Sequence, residues 1–167
     1  MLFRSERNIP CDADHVVVTP GAKPIMFFVM LALLEEGDEV LYPNPGFPIY
    51  ESVANFLNAR TVPLHLREEN EFDLDLHELE KKITGRTKLL VLNSPHNPTG
   101  AVLKPETVEG IAALARRHRF HILSDEIYAH LQYEGKHLSV ASLPGMAERT
   151  IVLDGFSKTY AMTGWRL

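Results

Sequence analysis

The sequence has a single cysteine, a single tryptophan and no apolar run long enough to cross a bilayer. Cys11 cannot close an internal disulfide by itself, so the chain suits a reducing compartment and we expect a cytoplasmic protein. The longest apolar run, residues 25–34, is ten residues long, about half of the roughly 20 that a spanning helix needs. It predicts a buried helix. The N-terminus interrupts its apolar side chains with Arg4, Glu6 and Arg7, unlike the continuous apolar core of a signal peptide.

An excess of positive charge is also lacking. The 17 basic and 22 acidic residues give a net charge of −5, and no basic block is present that could follow a phosphate backbone, so nucleic acid is not an expected partner.

No GxGxxG follows the first apolar run, which argues against a nicotinamide-dependent dehydrogenase. Gly/Ser linkers, low-complexity tracts and repeats are absent, so we predict a single domain without an internal boundary.

What the sequence does have is an alternation of short strand-like runs with helical patterns. The strand-like runs, rich in leucine or β-branched residues, predict six strands at 15–18, 39–43, 61–66, 88–93, 120–124 and 150–154. Helices are predicted at 23–36, 50–58, 75–83 and 105–119. Because parallel neighbours need crossover connections, this order predicts an α/β fold of three layers, with a mainly parallel sheet between helices.

Polar and glycine-containing segments follow most of the predicted strands. They are TPGAK (19–23), PNPGFPIY (43–50), SPHNPTG (94–100), DEIY (125–128) and GFSK (155–158). Ligands of open α/β sheets collect at the carboxyl ends of the strands. Asn97, Asp125 and Lys158 follow successive strands at intervals of roughly 30 residues, the length of one βαβ unit. We therefore expect these three side chains to converge at one edge of the sheet.

Each segment also has a plain structural interpretation when taken alone. NPTG is a good turn sequence, and Asp125 with Glu126 could simply begin a helical turn. A lone Lys158 would ordinarily be a solvated charge. His118 and His121 have i, i+3 spacing but belong to the end of a helix and to the next strand, so we expect no metal site there.

Taken together and in order, TPGAK, PNPGFPIY, NSPHNPTG, SDEIY and GFSKTYAMTGWRL resemble the large domain of class I and II pyridoxal-phosphate aminotransferases, of the aspartate aminotransferase fold type. The resemblance runs from about Asp14 to Leu167. It implies pyridoxal 5'-phosphate as cofactor and amino-group transfer between an amino acid and a 2-oxo acid. Relatives that perform β-elimination or cyclisation share these motifs, as do non-catalytic sensing modules of regulators. Such regulators need a helix-turn-helix or a basic patch, and this sequence has neither.

The resemblance implies roles around the reactive part of the cofactor. Lys158 matches the lysine that forms the internal Schiff base and then moves a proton, and the site would depress its pKa. Asp125 matches the carboxylate that keeps the pyridine nitrogen protonated. Tyr128 and Asn97 match the groups that hydrogen-bond the phenolic oxygen, and Phe47 the aromatic ring over the pyridine face. We expect Lys158, Asp125 and Tyr128 to be the catalytic residues.

A phosphate site is implied as well. Gly21, Ala22 and Lys23 match the loop whose backbone N–H groups meet the phosphate at a helix start, where glycine permits close approach. Ser157 would add a hydroxyl group, and Arg166 a planar fork suited to two phosphate oxygens.

The resemblance further implies that the sequence is part of a longer protein. Relatives have a longer N-terminal segment and continue beyond WRL through another strand and a C-terminal small domain, which carries the arginine that binds the substrate carboxylate. We expect residues 1–14 to be a short N-terminal segment and residues 15–167 an incomplete cofactor-binding large domain, with the small domain absent. The complete protein is expected to be a homodimer, and the isolated chain to be inactive.

Overall fold

The computed structural model describes residues 5–166. Its helices are α1 (Lys23–Leu33), α2 (Ile49–Phe56), α3 (Leu76–Lys82), α4 (Pro105–His118) and α5 (Phe156–Thr159). Its strands are β1 (Glu39–Asn44), β2 (Arg60–His65), β3 (Thr87–Asn93), β4 (His121–Asp125) and β5 (Thr150–Leu153). The four predicted helices and five of the six predicted strands are therefore confirmed, with small differences at their ends.

The five strands form one parallel sheet in the order β2-β1-β3-β4-β5. The register pairs Asn93 at the end of β3 with Asp125 at the end of β4, and Asp125 with Leu153 at the end of β5. The carboxyl ends of these three strands consequently lie side by side. This arrangement confirms the predicted α/β fold and its shared edge.

Side chains of the strands alternate between two buried apolar clusters. Leu89 and Leu123 pack in the cluster that includes residues of α1 and α2, whereas Leu90 and Ile122 pack in the cluster that includes residues of α3 and α4. Successive strand residues point to opposite faces, and a parallel sheet is covered on both. The sheet is thus the middle of three layers, as predicted.

The prediction of a strand at residues 15–18 is wrong. A short 3₁₀ turn occupies Ala13–His15, and none of residues 5–166 pairs with the valines that follow. β-Branched residues favour extended backbone, and Val16 adopts it with φ −118° and ψ 125°, but a strand also needs a hydrogen-bonded neighbour. Val17 and Val18 are 82% and 75% exposed. TPGAK therefore follows an exposed segment, and not a strand of the sheet.

The long apolar run forms the predicted helix, α1, but this helix is buried on one side only, contrary to the expectation of a buried helix. This helix packs Met26 and Met30 into the core, whereas Phe28 and Leu31 on its other side are exposed. Of the helices in residues 5–166, none combines the length and the apolar character needed to cross a membrane.

Candidate active site

Asp125, the last residue of β4, is a buried acidic residue at the carboxyl edge of the sheet. Only 3% of its surface is exposed, and its neighbour Glu126 is buried as well. Tyr50 donates a hydrogen bond from its hydroxyl to Oδ2 at 2.7 Å, and the backbone N–H of Ile127 donates to Oδ1 at 3.3 Å. Burial raises the pKa of Asp125 to about 6, because these bonds offset only part of the lost hydration. The negative charges of Asp154 and Glu126 act in the same direction as burial.

Tyr50 is a site residue that the motifs did not identify. It belongs to α2, and its side chain is fully buried between this helix and the sheet. Burial and the neighbouring Asp125 charge raise its pKa, so the hydroxyl stays a neutral donor. The ring of Phe47 packs against Tyr50 edge-on, with 6.1 Å between centroids. The segment PNPGFPIY thus brings both an aromatic ring and a hydrogen-bond donor to the edge.

The side-chain amide of Asn93 links the backbone of Asn97 to the backbone of Asp125. The Asn97 N–H donates to Asn93 Oδ1 at 2.8 Å, and Asn93 Nδ2 donates to the carbonyl oxygen of Asp125 at 3.1 Å. Asn93 is buried at the end of β3 and was not predicted as a site residue. It fixes the loop that carries Asn97 against the end of β4.

Lys158 lies in α5, the short helix that begins just after β5. Its Nζ is 5.8 Å from the centroid of the Tyr128 ring, so these two predicted residues are neighbours. The Lys158 side chain is exposed and its amine can be reached, whereas Ser157 beside it is buried. A backbone hydrogen bond of 2.8 Å from the Glu126 N–H to the Leu153 carbonyl oxygen joins the turns that carry Tyr128 and Lys158.

Gly21 and Arg166 lie in contact although they come from opposite ends of the chain. A methyl group on Gly21 would stand 2.2 Å from Arg166 Nη2, so a larger residue here would displace the guanidinium from this place. Gly21 also has φ +84°, a conformation that other residues adopt at a cost. Arg166 donates from Nη1 to the carbonyl oxygen of Thr163 at 3.0 Å, which holds the guanidinium near its own turn.

The start of α1 lies next to this contact in sequence. Ala22, which precedes the helix, has no polar side chain to cap its first N–H groups. The Nζ atom of Lys23, the first residue of the helix, is 5.5 Å from the centroid of the Phe47 ring. Backbone donors, the helix dipole, an ammonium and a guanidinium therefore belong to one corner of the edge, and such a corner favours anions.

A second buried acid, Glu126, is saturated with partners. Arg7 Nη1 donates to Oε2 at 2.8 Å, and the hydroxyls of Ser124 and Ser139 donate to Oε1 at 2.9 Å and 2.6 Å. His137 Nε2 lies 3.0 Å from Oε2. Burial would raise the pKa of Glu126, but the contacts with His137, Ser139 and Arg7 outweigh it and hold that pKa below its ordinary value. The two adjacent acids thus have opposite pKa shifts.

Comparison with known proteins settles the family. The family model described as aminotransferase class I and II matches residues 1–167. The chain belongs to the class I and II aminotransferases. It is 45% identical over 167 residues to an aspartate aminotransferase of Pyrococcus abyssi, an alignment that covers 99% of this chain and 43% of that protein. An arginine–pyruvate transaminase of Pseudomonas aeruginosa is 46% identical over 156 residues, which cover 93% of this chain and 40% of the relative.

Solved aminotransferase structures have the same fold. An aromatic aminotransferase from Pyrococcus horikoshii superposes with a TM-score of 0.96 at 41% identity, covering 99% of this chain and 45% of that one. An aspartate aminotransferase from Thermus thermophilus, solved with maleate, gives a TM-score of 0.95 at 40% identity, covering 99% and 43%. The five motifs therefore identified the family correctly. This aminotransferase chain spans about two fifths of the length of these relatives.

Proposed function

We propose that this chain is the pyridoxal-phosphate-binding part of an aminotransferase that moves an amino group between an amino acid and a 2-oxo acid. The observation that carries the proposal is the arrangement of Asp125 and Lys158 at the ends of β4 and β5, with Lys23 reaching them through Phe47 and Tyr50. Family membership and the names of the relatives support the same reaction. When bound, the cofactor supplies an electron sink for the charge that develops at the α-carbon of the amino acid.

The residues present fit this cofactor. A phosphate needs donors and positive charge, and Gly21, Ala22, Lys23 and Arg166 provide them at the start of α1. The guanidinium of Arg166 lies where a side chain on Gly21 would stand, so the glycine keeps this positive charge at the start of α1. Ser157, buried beside Lys158, is proposed to add its hydroxyl group.

Asp125 is proposed to hold the proton on the pyridine nitrogen. Its raised pKa reflects burial, which disfavours the carboxylate. A neighbouring cation would stabilise the carboxylate and favour ionisation. The ionised carboxylate in turn favours the protonated ring. Tyr50 restrains the orientation of the Asp125 carboxyl group through its hydrogen bond to Oδ2.

Lys158 is proposed to be the covalent attachment point and the base that moves a proton at the α-carbon of the substrate. Its exposed amine meets both needs, since a substrate must reach it. Tyr128, whose ring lies beside the amine, and Asn97 are proposed to hydrogen-bond the phenolic oxygen of the cofactor. Phe47 is proposed to cover the ring face.

The proposal extends to the protein that contains this chain. We propose that residues 15–167 are part of a large domain, that a small domain supplies the group for the substrate carboxylate, and that the active protein is a cytoplasmic homodimer. The relatives are named for aspartate, for aromatic amino acids and for arginine with pyruvate, so the proposal concerns the class of reaction and no single amino acid.

Borohydride trapping tests the proposal. The chain is incubated with pyridoxal phosphate, reduced and mapped by peptide mass spectrometry, and the reduced adduct is expected on Lys158. Weak binding suffices, because reduction makes each adduct permanent. Lys158→Arg should abolish the site-specific adduct, and Lys136→Arg, at another exposed lysine, should leave it unchanged. An adduct mainly on Lys23 or Lys104 would contradict the assignment.

Turnover is best measured in a hybrid in which these 167 residues replace the matching segment of the Pyrococcus abyssi aspartate aminotransferase. Amination of a 2-oxo acid by an amino acid is the expected result, and it should be lost in the Lys158→Arg hybrid. Release of the substrate's β-substituent without transfer would favour an elimination reaction instead.

A further inference from the structure

Arg7 joins the ends of two strands but has no place in the proposed chemistry. Its side chain is buried, with 8% of the residue exposed. Nη1 donates to Glu126 Oε2 at 2.8 Å and Nη2 to Asp154 Oδ2 at 2.5 Å. Glu126 directly follows Asp125 at the end of β4, and Asp154 directly follows Leu153 at the end of β5. A planar guanidinium with several donors is suited to bridge two carboxylates in this way.

Each bridged carboxylate is also bonded within its own turn. Glu126 accepts hydrogen bonds from Ser124 and from Ser139. Asp154 Oδ1 accepts from the backbone N–H of Gly155 at 2.7 Å, and Gly155 is the residue that precedes α5. The bridge through Arg7 therefore connects the residue after Asp125 to the start of the helix that carries Lys158.

We propose that Arg7 is a positioning residue of the candidate active site. It holds the turn after β4, with Asp125 and Tyr128, against the turn after β5, with Lys158. The inference depends on the proposed function for the roles of Asp125 and Lys158, whereas the bridge itself is independent of that function.

The charges explain why the bridge matters. Three acids, Asp125, Glu126 and Asp154, follow one another across the ends of β4 and β5, and the guanidinium lies between two of them. Removing one partner of a buried ion pair leaves an uncompensated charge in a poorly hydrated place. The two turns would then separate, or admit water, to relieve the repulsion.

Three substitutions separate positioning from folding. Arg7→Lys keeps the positive charge, but one ammonium cannot reproduce the fork that spans both carboxylates. Arg7→Met removes the charge, and Glu126→Gln removes one bridged carboxylate. Arg60→Met is the control, because Arg60, although exposed, also pairs with a buried acid, Glu39, at the beginning of β1.

Amide hydrogen exchange read by mass spectrometry, at low micromolar chain concentration, tests the bridge without cofactor. Arg7→Lys should speed exchange about tenfold in peptides that cover residues 124–128 and 153–159, and leave β1 and β2 unchanged. Arg60→Met should leave both turns unchanged. In the double variant Arg7→Met/Glu126→Gln, the loss of exchange protection in the two turns should be smaller than the sum of the losses in the two single variants. Both substitutions act on the same bridge. Unchanged turns in Arg7→Lys, or a uniform rise over the whole sheet, would overturn the inference.

Trapping with pyridoxal phosphate then tests the consequence for the site. The yield of reduced adduct on Lys158, relative to that on exposed Lys136, should fall about tenfold in Arg7→Lys and stay unchanged in Arg60→Met. An unchanged yield in Arg7→Lys overturns the positioning inference and leaves the proposed function standing. If the hybrid with the Pyrococcus abyssi enzyme forms no adduct on Lys158 while the two turns still respond in hydrogen exchange, the proposed function fails and the bridge is supported.

Discussion

Asp125 shows how burial makes a single residue sensitive to pH. Its folded-state pKa of about 6 lies above its ordinary value of 3.8, so protonated Asp125 favours the folded chain. This contribution is fully present below about pH 4 and is lost as the pH rises through about 6. Asp125→Asn removes the ionisable group, so above pH 6 it should stabilise the chain by up to about 3 kcal/mol relative to the parent. Urea unfolding between pH 4 and 7 measures this, and equal pH slopes for both proteins would contradict it.

Tyr50 acts on the same carboxyl from the other side. Its hydroxyl favours the ionised form of Asp125, since the hydrogen bond lowers the pKa of that group. In Tyr50→Phe the pKa of Asp125 should therefore rise above about 6. The measurement is the pH dependence of the Asp125 side-chain carboxyl signal in ¹³C NMR. Tyr42→Phe, at another buried tyrosine of the same core cluster, is the control and should leave the midpoint unchanged.

The adjacent acids give a matched comparison in the cofactor-bound hybrid. Asp125→Asn should retain much of the cofactor binding but lose most transamination, because asparagine does not keep the ring nitrogen protonated. Glu126→Gln should be milder, since Glu126 is proposed to act on the site only through the Arg7 bridge and not on the ring nitrogen itself. Steady-state rates and cofactor absorbance measure both effects. Equal losses of activity would remove the distinction between the two residues.

Motifs revealed the residues that carry the proposed chemistry but not those that support them. Asp125 and Lys158 stand in short segments whose order is typical of one family. Tyr50 and Arg7 could not be found in this way, because their partners lie 75 and 119 residues away along the sequence. In the sequence, Tyr50 is one more residue of an amphipathic helix, and Arg7 is a charge that interrupts an apolar N-terminus.

Elements were predictable where local pattern and packing agree. The strands β1, β3 and β4 are apolar runs covered on both faces, and α4 repeats its buried positions with helical spacing. Residues 16–18 have strong β-branched character but lie outside the sheet. Propensity alone cannot provide the neighbouring strand that a ladder needs.

The contact of α3 with β2 gives a prediction for an element. Lys82 Nζ donates to Glu78 Oε1 at 2.6 Å and to the carbonyl oxygen of Pro63 in β2 at 2.5 Å. Burial raises the pKa of Glu78, but the contacts with Lys82 and His65 outweigh it and lower the pKa to about 2. A lowered carboxyl pKa stabilises the fold above the unfolded value, and this contribution is lost as the pH falls toward 2.

Glu78→Gln should therefore destabilise the chain by about 1–2 kcal/mol at pH 7, with a smaller difference below pH 4. Urea unfolding at both pH values measures the effect. Glu80→Gln is the control on the same helix, since Glu80 pairs with Arg117 in an exposed position and should matter little. A loss of stability of similar size in both variants would mean that the contact of Glu78 and Lys82 with β2 does not stabilise the fold more than an exposed ion pair does.

At the scale of the whole molecule, the described chain leaves apolar surface uncovered. Val17, Val18, Phe56 and Trp165 are among its most exposed large apolar side chains. Within residues 5–166, β5 pairs only with β4, so one side of β5 is an open edge. Exposed edges and apolar patches favour association with other chains.

We therefore expect the isolated 167-residue chain to be marginally stable or prone to self-association, to bind pyridoxal phosphate weakly and to show no measurable transaminase turnover. Val17 and Val18 adjoin the TPGAK segment, so movement of these unpaired residues would loosen the proposed phosphate loop. Size-exclusion chromatography, cofactor absorbance and assays with several amino acid and 2-oxo acid pairs measure the three properties. Val17→Lys should reduce the association, because it replaces an exposed apolar side chain with a charge, whereas Glu36→Lys on the exposed surface is the control for added positive charge. A monodisperse, yellow and active preparation would contradict this expectation. The uncovered edge would then impair neither the stability of the fold nor the proposed site.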